Sequence, residues 1–365
     1  MRLENLRLLD FKSYEEVSLE FPARINVLIG RNGSGKTNLL DAIFYLSFTK
    51  SAFSLADQQL IRHDQPYFMV KGDFHVGTES HNISSIFQLG LKKVFREDML
   101  DYQKLSAHIG KYPVILMAPD DVELIREGSE SRRKFFDSII SQLDNTYLET
   151  LMRYNHIVKQ RNSLLKMAAE RGSVDWVAIE TYDVAIAHAG IDIYKKRRAF
   201  ITDFLPVFHY YYRFIVEQNE HCTLNYESEL HQKDFLEGLR ENHQKDLMLQ
   251  RTNFGIHRDD FVFTLGARDI KRLGSQGQQK SFVIALKLAQ YEILKKSKGF
   301  KPVLLLDDIF DKLDDQRIAT LLSLIKSDLG QLFITDARPD RTRRLLAQIG
   351  VESSVFTIED GKVRS

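Results

Sequence analysis

Eight consecutive residues, Gly30 to Thr37, match the full pattern of a phosphate-binding loop, which ends in a lysine and a hydroxyl residue. The three glycines lack a Cβ atom, so the backbone can turn its N–H groups inward around an anion. Lys36 is expected to reach the β- and γ-phosphates, and Thr37 to place its hydroxyl on Mg²⁺. The alternative is a glycine-rich turn before an ordinary helix. The residues expected to hold ATP here are Gly30, Arg31, Asn32, Gly33, Ser34, Gly35, Lys36, Thr37 and Asn38.

Two carboxylates follow the unbroken apolar run Val303 to Leu306, a pattern typical of a central parallel strand. Asp307 is the expected partner of Thr37 around Mg²⁺, and Asp308 is placed to polarise an attacking water. Taken alone, the run is better explained by a buried strand followed by a helix-capping aspartate. The phosphate-binding loop in the same chain favours the catalytic interpretation.

A third segment, Gly274 to Lys280, precedes an apolar helical stripe and predicts another helix N-terminus with free N–H groups. The chain has only one nucleotide loop, so this second phosphate-binding segment has no obvious phosphate to bind within the same chain. It is therefore expected to cap the nucleotide bound by a second copy. That predicts a composite, dimeric active site with Ser275 as a catalytic residue. The other expected contacts are Gln276, Gly277 and Gln278. The alternative is a polar loop with a serine cap.

The elements that position these residues are α/β in character. A short strand, Ile25 to Ile29, leads into the loop, and a helical pattern follows it. We expect an ATPase lobe in two parts, 1–115 with the phosphate-binding loop and 249–365 with the other two motifs. A charge-rich helical insertion lobe, 116–248, separates them.

Composition is that of an ordinary globular chain of 365 residues with 43% apolar residues, enough for a large core. The single cysteine, Cys222, excludes an internal disulfide. No signal peptide or long apolar span is apparent, so a cytoplasmic protein without a membrane partner is expected. The net charge is only +1, so contact with nucleic acid would need a local basic patch.

The order of these motifs resembles the ABC-type ATPases of the SMC, Rad50 and RecF group. Gly30 to Thr37 corresponds to Walker A, Ser275 to Gln278 to the signature, Leu304 to Asp308 to Walker B, and Asp311 to Asp314 to the D-loop. The RecF family is the most similar, since further segments match it in order along nearly the whole chain. These segments are Pro119 to Ile125, Arg132 to Asp137, Gln160 to Lys166 and Gly255 to Asp260.

The resemblance implies a P-loop ABC-type ATPase domain split by a compact helical lobe. It implies a slow, DNA-stimulated ATPase that dimerises on ATP and holds single-stranded and double-stranded DNA at gaps or junctions. It further implies DNA repair, replication and SOS functions, with RecO and RecR as partners in loading recombinase. Lys12 and Ser13 lie where related ATPases contact the base, the alternative being a solvent-facing turn between strands.

Two basic clusters, Arg132 to Lys134 and Lys195 to Arg198, are candidates for DNA phosphate contacts. Each could equally be a solvated helix face, and the aromatic residues beside them could be core residues. The segment His257 to Asp260 has no nucleophile at a recognisable spacing. We expect it to form ion pairs or a hinge and assign it no chemistry.

Some positions depart from the related families. Asp308 replaces a common glutamate, Gln276 replaces a glycine, and Thr335 and Asp336 stand where transporters carry a switch histidine, so slow turnover is expected. Phe53 stands where RecF proteins are expected to carry a basic residue. Two alternative functions stay open, an SMC-like scaffold ATPase without ATP-gated DNA binding and the ATPase subunit of a transporter.

Overall fold

A computed structural model of the chain describes residues 1–216, 220, 222–266, 268–309, 315–327, 329–338, 344, 350 and 353–364. The strands are β1 Arg2–Phe11, β2 Tyr14–Glu20, β3 Ile25–Ile29, β4 Tyr67–Val76, β5 Glu79–Gln88, β6 Val94–Glu97, β7 Leu100–Asp101, β8 Val114–Met117, β9 Cys222–Glu227, β10 Asp260–Leu265, β11 Arg268–Asp269, β12 Val303–Leu306, β13 Leu332–Asp336, β14 Ser353–Glu359 and β15 Lys362–Arg364. The helices are α1 Lys36–Phe48, α2 Glu123–Arg126, α3 Ser129–Leu143, α4 Asn145–Arg171, α5 Trp176–Val216, α6 Phe235–Glu241, α7 His243–Leu249, α8 Ile270–Leu273, α9 Gln276–Lys298 and α10 Asp315–Ser327.

The chain divides into two compact units. The first comprises residues 1–121, 214–217 and 284–365, and the second comprises 122–213 and 218–283. Residues 249–283, which the sequence assigned to the ATPase lobe, cluster with the helical segment. The functional domain boundaries remain a prediction, since compactness groups residues without assigning them a role.

Two six-stranded sheets build the first unit. One is antiparallel, in the order β2-β1-β4-β5-β6-β7. The other has the order β15-β14-β3-β13-β12-β8, and its five strands from β14 to β8 run parallel. The carboxyl ends of β3, β12 and β13 therefore meet at one edge, the usual position of a ligand site in such sheets.

Helix α1 lies between these sheets and contacts β1, β4 and β5 of one and β8 and β13 of the other. Most of its residues are buried, because apolar side chains occupy positions around nearly the whole helix. Six of these apolar side chains have no exposed surface: Leu39, Leu40, Ala42, Ile43, Tyr45 and Leu46. The sheets therefore fix the position of the helix start, which carries Lys36 and Thr37.

The second unit combines the long helices α3, α4 and α5 with the antiparallel sheet β11-β10-β9. Two arginines are buried within it. Arg161 of α4 binds Asp183 at 2.6 Å and Asp246 at 2.7 Å. Arg197 of α5 binds Asp137 at 2.8 Å and Asp259 at 3.1 Å. These pairs connect α4 to α5 and α7, and α5 to α3 and to the segment before β10, and removing one partner would leave an uncompensated buried charge.

Candidate nucleotide site

The phosphate-binding loop joins the fully buried strand β3 to α1, as the sequence predicted. Gly33 and Gly35 have φ angles of 82° and 114°, a region that favours glycine. No described side chain caps the N-terminus of α1, where Gly35 is the cap residue. The first N–H groups of the helix are thereby left for an anion, which the positive end of the helix dipole favours.

The loop is closely packed on both sides. A Cβ atom on Gly30 would lie 2.3 Å from the carbonyl oxygen of Ile358, and one on Gly35 would lie 2.9 Å from Ser13 Oγ. The Tyr14 hydroxyl donates a hydrogen bond of 2.9 Å to the Gly35 carbonyl. Gly30 is therefore required by close approach, Gly33 by backbone conformation, and Gly35 by both.

Lys36 is nearly fully buried, with 4% of its surface exposed. Its ammonium group donates hydrogen bonds to the loop carbonyls of Gly30 at 2.8 Å and Arg31 at 3.1 Å. An ammonium group has three donors, so a further hydrogen bond to a phosphate oxygen is compatible with these contacts.

The hydroxyl of Thr37, in the first turn of α1, lies beside the carboxylate of Asp307, which follows β12. Its Oγ1 lies 3.1 Å and 3.0 Å from the two carboxylate oxygens. A second hydroxyl, from Thr335 at the end of β13, donates to Asp307 Oδ1 at 2.7 Å. A hydroxyl beside a buried carboxylate supplies hard oxygen ligands, so this pair fits Mg²⁺.

Burial raises the pKa of Asp307, and the hydrogen bonds from Thr335 and Thr37 oppose that rise. The neighbouring Asp308 raises the pKa further, while the charge of Lys36 lowers it. A bound cation would favour the ionised form in the same way as Lys36. Among the described residues, no group of three or more His, Cys, Asp or Glu could hold a metal ion.

Asp308 follows directly and has a φ angle of 44°, in the left-handed region that few residues other than glycine adopt. Its N–H group donates to Thr335 Oγ1 at 2.8 Å. Through these two hydrogen bonds Thr335, which has no exposed surface, links both aspartates. The sequence singled out Thr335 only as a departure from the switch histidine. Its position at the end of an apolar run was the one feature of the sequence that could have placed Thr335 at this site.

Lys12 and Ser13 lie beside the start of α1. Lys12 forms an ion pair of 2.5 Å with the buried Asp41, and Ser13 Oγ accepts a hydrogen bond of 2.9 Å from Asn38. Lys12 is mostly buried, so the solvent-facing alternative is wrong for it, whereas Ser13 is exposed. Asp41, which the sequence did not reveal, also accepts from Ser51 Oγ at 2.6 Å and holds the segment after α1.

The signature segment begins α9 in the second unit. Ser275 Oγ accepts from the Gln278 N–H at 3.2 Å, and Gln278 Oε1 accepts from the Ser275 N–H at 2.8 Å. This reciprocal cap matches the serine-cap alternative and leaves the hydroxyl hydrogen of Ser275 able to donate to a phosphate. Ser275 and Gln276 are exposed, and Gly277 and Gln278 are half-buried. The D-loop segment, residues 311–314, lies outside the described residues.

The basic clusters divide between residues bound inside the second unit and residues that are exposed. Arg197 is buried in the ion pairs given above, and Arg132 binds both carboxylate oxygens of Asp260 at 2.8 Å. Arg133 donates to the Asp259 carbonyl at 2.6 Å. The prediction of a DNA contact is therefore wrong for Arg197, which has 1% of its surface exposed. Lys134, Lys195 and Arg198 remain exposed.

The segment from His257 to Asp260 forms ion pairs, as expected. Asp259 and Asp260 bind the two arginines, Arg197 and Arg132, while His257 Nδ1 lies 2.8 Å from the Tyr154 hydroxyl. Burial lowers the pKa of His257 to about 4, so this imidazole is neutral near pH 7. The neutral, enclosed ring has a structural role in the second unit.

Comparison with known proteins supplies the wider context. The family model described as RecF/RecN/SMC N terminal domain matches residues 2–358. The DNA replication and repair protein RecF of Cytophaga hutchinsonii is 47% identical over 364 residues, which are all of this chain and 96% of that protein. RecF of Flavobacterium johnsoniae is 42% identical over 98% of this chain and the whole of its own.

Solved structures agree with these relatives. The recombination mediator protein RecF with ATP, in the RecFOR pathway, superposes with a TM-score of 0.89. It is 30% identical, and the match covers 99% of this chain and 96% of that one. An SMC head bound to the C-winged helix domain of ScpA, 15% identical with a TM-score of 0.57 over 100% of this chain and 96% of its own, shows the shared fold alone. The fold is thus the P-loop ABC-type ATPase with a helical insertion. No helix within the described ranges is long and apolar enough to cross a membrane.

Proposed function

This chain belongs to the RecF family of DNA replication and repair proteins, and on that basis we propose that it is a cytoplasmic, ATP-dependent DNA-binding clamp. The observation that carries the proposal is the contact of Thr37 and Thr335 with Asp307 beside the phosphate-binding loop. It supports a switch whose state depends on the γ-phosphate. Because the chain belongs to the RecF family, we set aside the alternative that it is the ATPase subunit of a transporter.

ATP binds with its phosphates against the loop from Gly30 to Asn38 and the first turn of α1. Lys36 donates to the β- and γ-phosphate oxygens while it keeps the loop carbonyls in place. Lys12 and Ser13, in the turn beside the start of α1, contact the base or ribose. Thr37 and Asp307 hold Mg²⁺, which when bound neutralises charge that develops on the phosphate oxygens.

Hydrolysis uses Asp308 as the residue that orients and polarises water. The water oxygen bonds to the γ-phosphorus, the bond to the β,γ-bridging oxygen breaks, and the water proton passes to the Asp308 carboxylate. Thr335 holds the Asp308 backbone in its positive-φ conformation through the 2.8 Å hydrogen bond. The aspartate side chain is one methylene shorter than that of glutamate, so we expect slow turnover. We also expect DNA to stimulate hydrolysis.

Two copies complete the site. Ser275 of a second copy, with Gln276 to Gln278, contacts the γ-phosphate, so ATP favours the dimer by mass action. The closed dimer holds gapped DNA or a junction of single-stranded and double-stranded DNA, and hydrolysis removes the bridge and releases it. RecO and RecR act with this clamp to load recombinase.

Fluorescence anisotropy on a gapped duplex tests the proposal with ATP, with ADP and without nucleotide. Tight binding is expected only with ATP and is expected to be lost in Lys36→Met and Ser275→Arg. Two exposed positions provide matched controls, Lys92→Met for the first change and Ser173→Arg for the second. Binding that ignores nucleotide, or equal loss in the controls, would contradict the switch.

Asp308→Asn separates the clamp from an SMC-like scaffold. Because the amide cannot take the water proton, the ATP-bound dimer should persist, and the variant should remain on short linear DNA. An unchanged DNA residence time with hydrolysis abolished would support the scaffold instead. Sedimentation with ATP measures dimerisation independently of DNA.

A further inference from the structure

Phe53 is an exposed aromatic residue in the segment that follows α1. It keeps 42% of its surface exposed, and among the described residues no other aromatic ring packs on it. A single exposed apolar side chain is ordinary in a folded protein. The contacts that hold Phe53 in place are what distinguish it.

A buried carboxylate fixes the backbone that carries the ring. Asp41, which has no exposed surface, accepts hydrogen bonds from Ser51 Oγ at 2.6 Å and from the Ala52 N–H at 2.8 Å. The Ser51 hydroxyl oxygen in turn accepts from the N–H groups of Phe53 at 3.0 Å and Ser54 at 2.9 Å. These hydrogen bonds define the turn that presents the ring, so its exposure follows from the structure of the segment.

The same carboxylate positions a cation beside the ring. Asp41 pairs with Lys12 at 2.5 Å. The Lys12 ammonium lies over the Phe53 ring at 5.7 Å from its centroid, within the range of a cation–π contact. One buried group on α1 therefore sets the positions of both the cation and the ring.

The first turn of α1 indicates on which side of the loop the base lies. Thr37 directs its hydroxyl to Asp307, where Mg²⁺ and the γ-phosphate are proposed to bind. The next residue, Asn38, donates a hydrogen bond of 2.9 Å to Ser13 Oγ. Successive helix residues project about 100° apart, so these two side chains point to different sides of the helix start. A nucleotide with its γ-phosphate at Asp307 is therefore expected to leave the loop toward Lys12 and Ser13.

We propose that the ring of Phe53 stacks on the base of the bound nucleotide, with Lys12 beside it. The inference deepens the proposed function, because it rests on ATP binding at this loop. Every base has a π-face, so the ring adds affinity for a nucleotide over a bare phosphate chain without selecting adenine. A basic residue, which the RecF resemblance leads one to expect at this position, would attract the phosphates instead.

Equilibrium titration of the full chain with ADP and with pyrophosphate, both with Mg²⁺, tests the stacking, because pyrophosphate has the phosphates without the base. Phe53→Ala should lower the affinity for ADP about tenfold and leave the affinity for pyrophosphate unchanged. Phe53→Tyr keeps the ring and should bind ADP as the native chain does. Leu55→Ala, which shortens a fully exposed apolar side chain of the same segment, should change neither affinity.

A tryptophan at this position gives a direct readout of the contact. The chain has one tryptophan, Trp176, and it lies in the second unit. The fluorescence that Phe53→Trp adds should be quenched by ADP and not by pyrophosphate, while the native chain should respond to neither.

Unchanged ADP affinity in Phe53→Ala would overturn the stacking. An equal loss of affinity for ADP and pyrophosphate would also overturn it, because the ring would then only support the loop or Lys12. Loss of the ATP-dependent dimer with unchanged ADP affinity would place Phe53 at a contact between copies instead. ATP-dependent DNA binding by the native chain tests the clamp separately, so the clamp stands if only the stacking fails. Failure of the native chain to bind ADP would overturn both.

Discussion

Replacing Thr335 with valine should disable the magnesium-binding carboxylate without a change of side-chain volume. The hydroxyl makes two buried hydrogen bonds, one to Asp307 and one from the Asp308 N–H. Valine removes both and leaves a buried donor and a buried acceptor short of a partner. Each such loss costs about 1–3 kcal/mol, so we expect about 2–6 kcal/mol in total.

The substitution also acts on charge. Burial already raises the pKa of Asp307, and the Thr335 hydrogen bond is the first effect that opposes it. Without that bond the pKa rises further, so the Asp307 carboxylate is protonated at a higher pH than in the native chain. The raised pKa should weaken binding of Mg²⁺ with ATP, and the deficit should grow as pH falls.

Titration of a fluorescent ATP analogue with and without Mg²⁺ at several pH values measures this effect, and steady-state hydrolysis measures the catalytic loss. We expect kcat to fall about tenfold or more, equivalent to roughly 1.4 kcal/mol of barrier. Thr335→Ser restores the hydroxyl and should recover most of the activity. Native affinity, turnover and pH dependence in Thr335→Val would refute the role assigned to this hydroxyl.

Three other outcomes follow from the described contacts. Burial opposes ionisation of Glu97, yet hydrogen bonds from Lys111 and two tyrosines lower its pKa to about 2, so native stability should fall between about pH 4.3 and 2; acid denaturation of Glu97→Gln should lack this component. Gly361→Ala should weaken ATP binding in an equilibrium titration, because its Cβ would lie 2.3 Å from the Ser13 carbonyl, whereas Gly77→Ala, also at positive φ but in open space, should not. Arg161→Met should cost about 3–5 kcal/mol in urea unfolding by stranding two buried carboxylates, against less than about 0.5 kcal/mol for the exposed Lys166→Met.

Local patterns predicted the nucleotide loop well. The strand, the glycines and the helix after them are adjacent in sequence, so their spacing alone indicates their geometry. Asp307 could be paired with Thr37 because apolar runs ending in aspartate are typical of parallel strands with a shared carboxyl edge. Thr335 could not be added, since its contact depends on β13 lying between β3 and β12.

Charge patterns were less informative. Arg132 and Arg197 belong to basic runs that suggest an exposed surface, yet their carboxylate partners lie 128 and 60 residues away in sequence. No local spacing reveals such pairs, and burial of an arginine is decided by the fold that supplies its partners. Lys12 is similar, because Asp41 reaches it only after α1 packs beside the turn between β1 and β2.

The contact of Lys36 with its own loop has a consequence for the resting protein. The carbonyls of Gly30 and Arg31 already share the lysine charge, so the loop keeps its shape before a phosphate arrives. An arriving nucleotide finds the binding surface preformed, and little affinity is lost to ordering it. In the proposed switch, the γ-phosphate therefore meets a loop that Lys36 already supports, and it can act as the signal between copies.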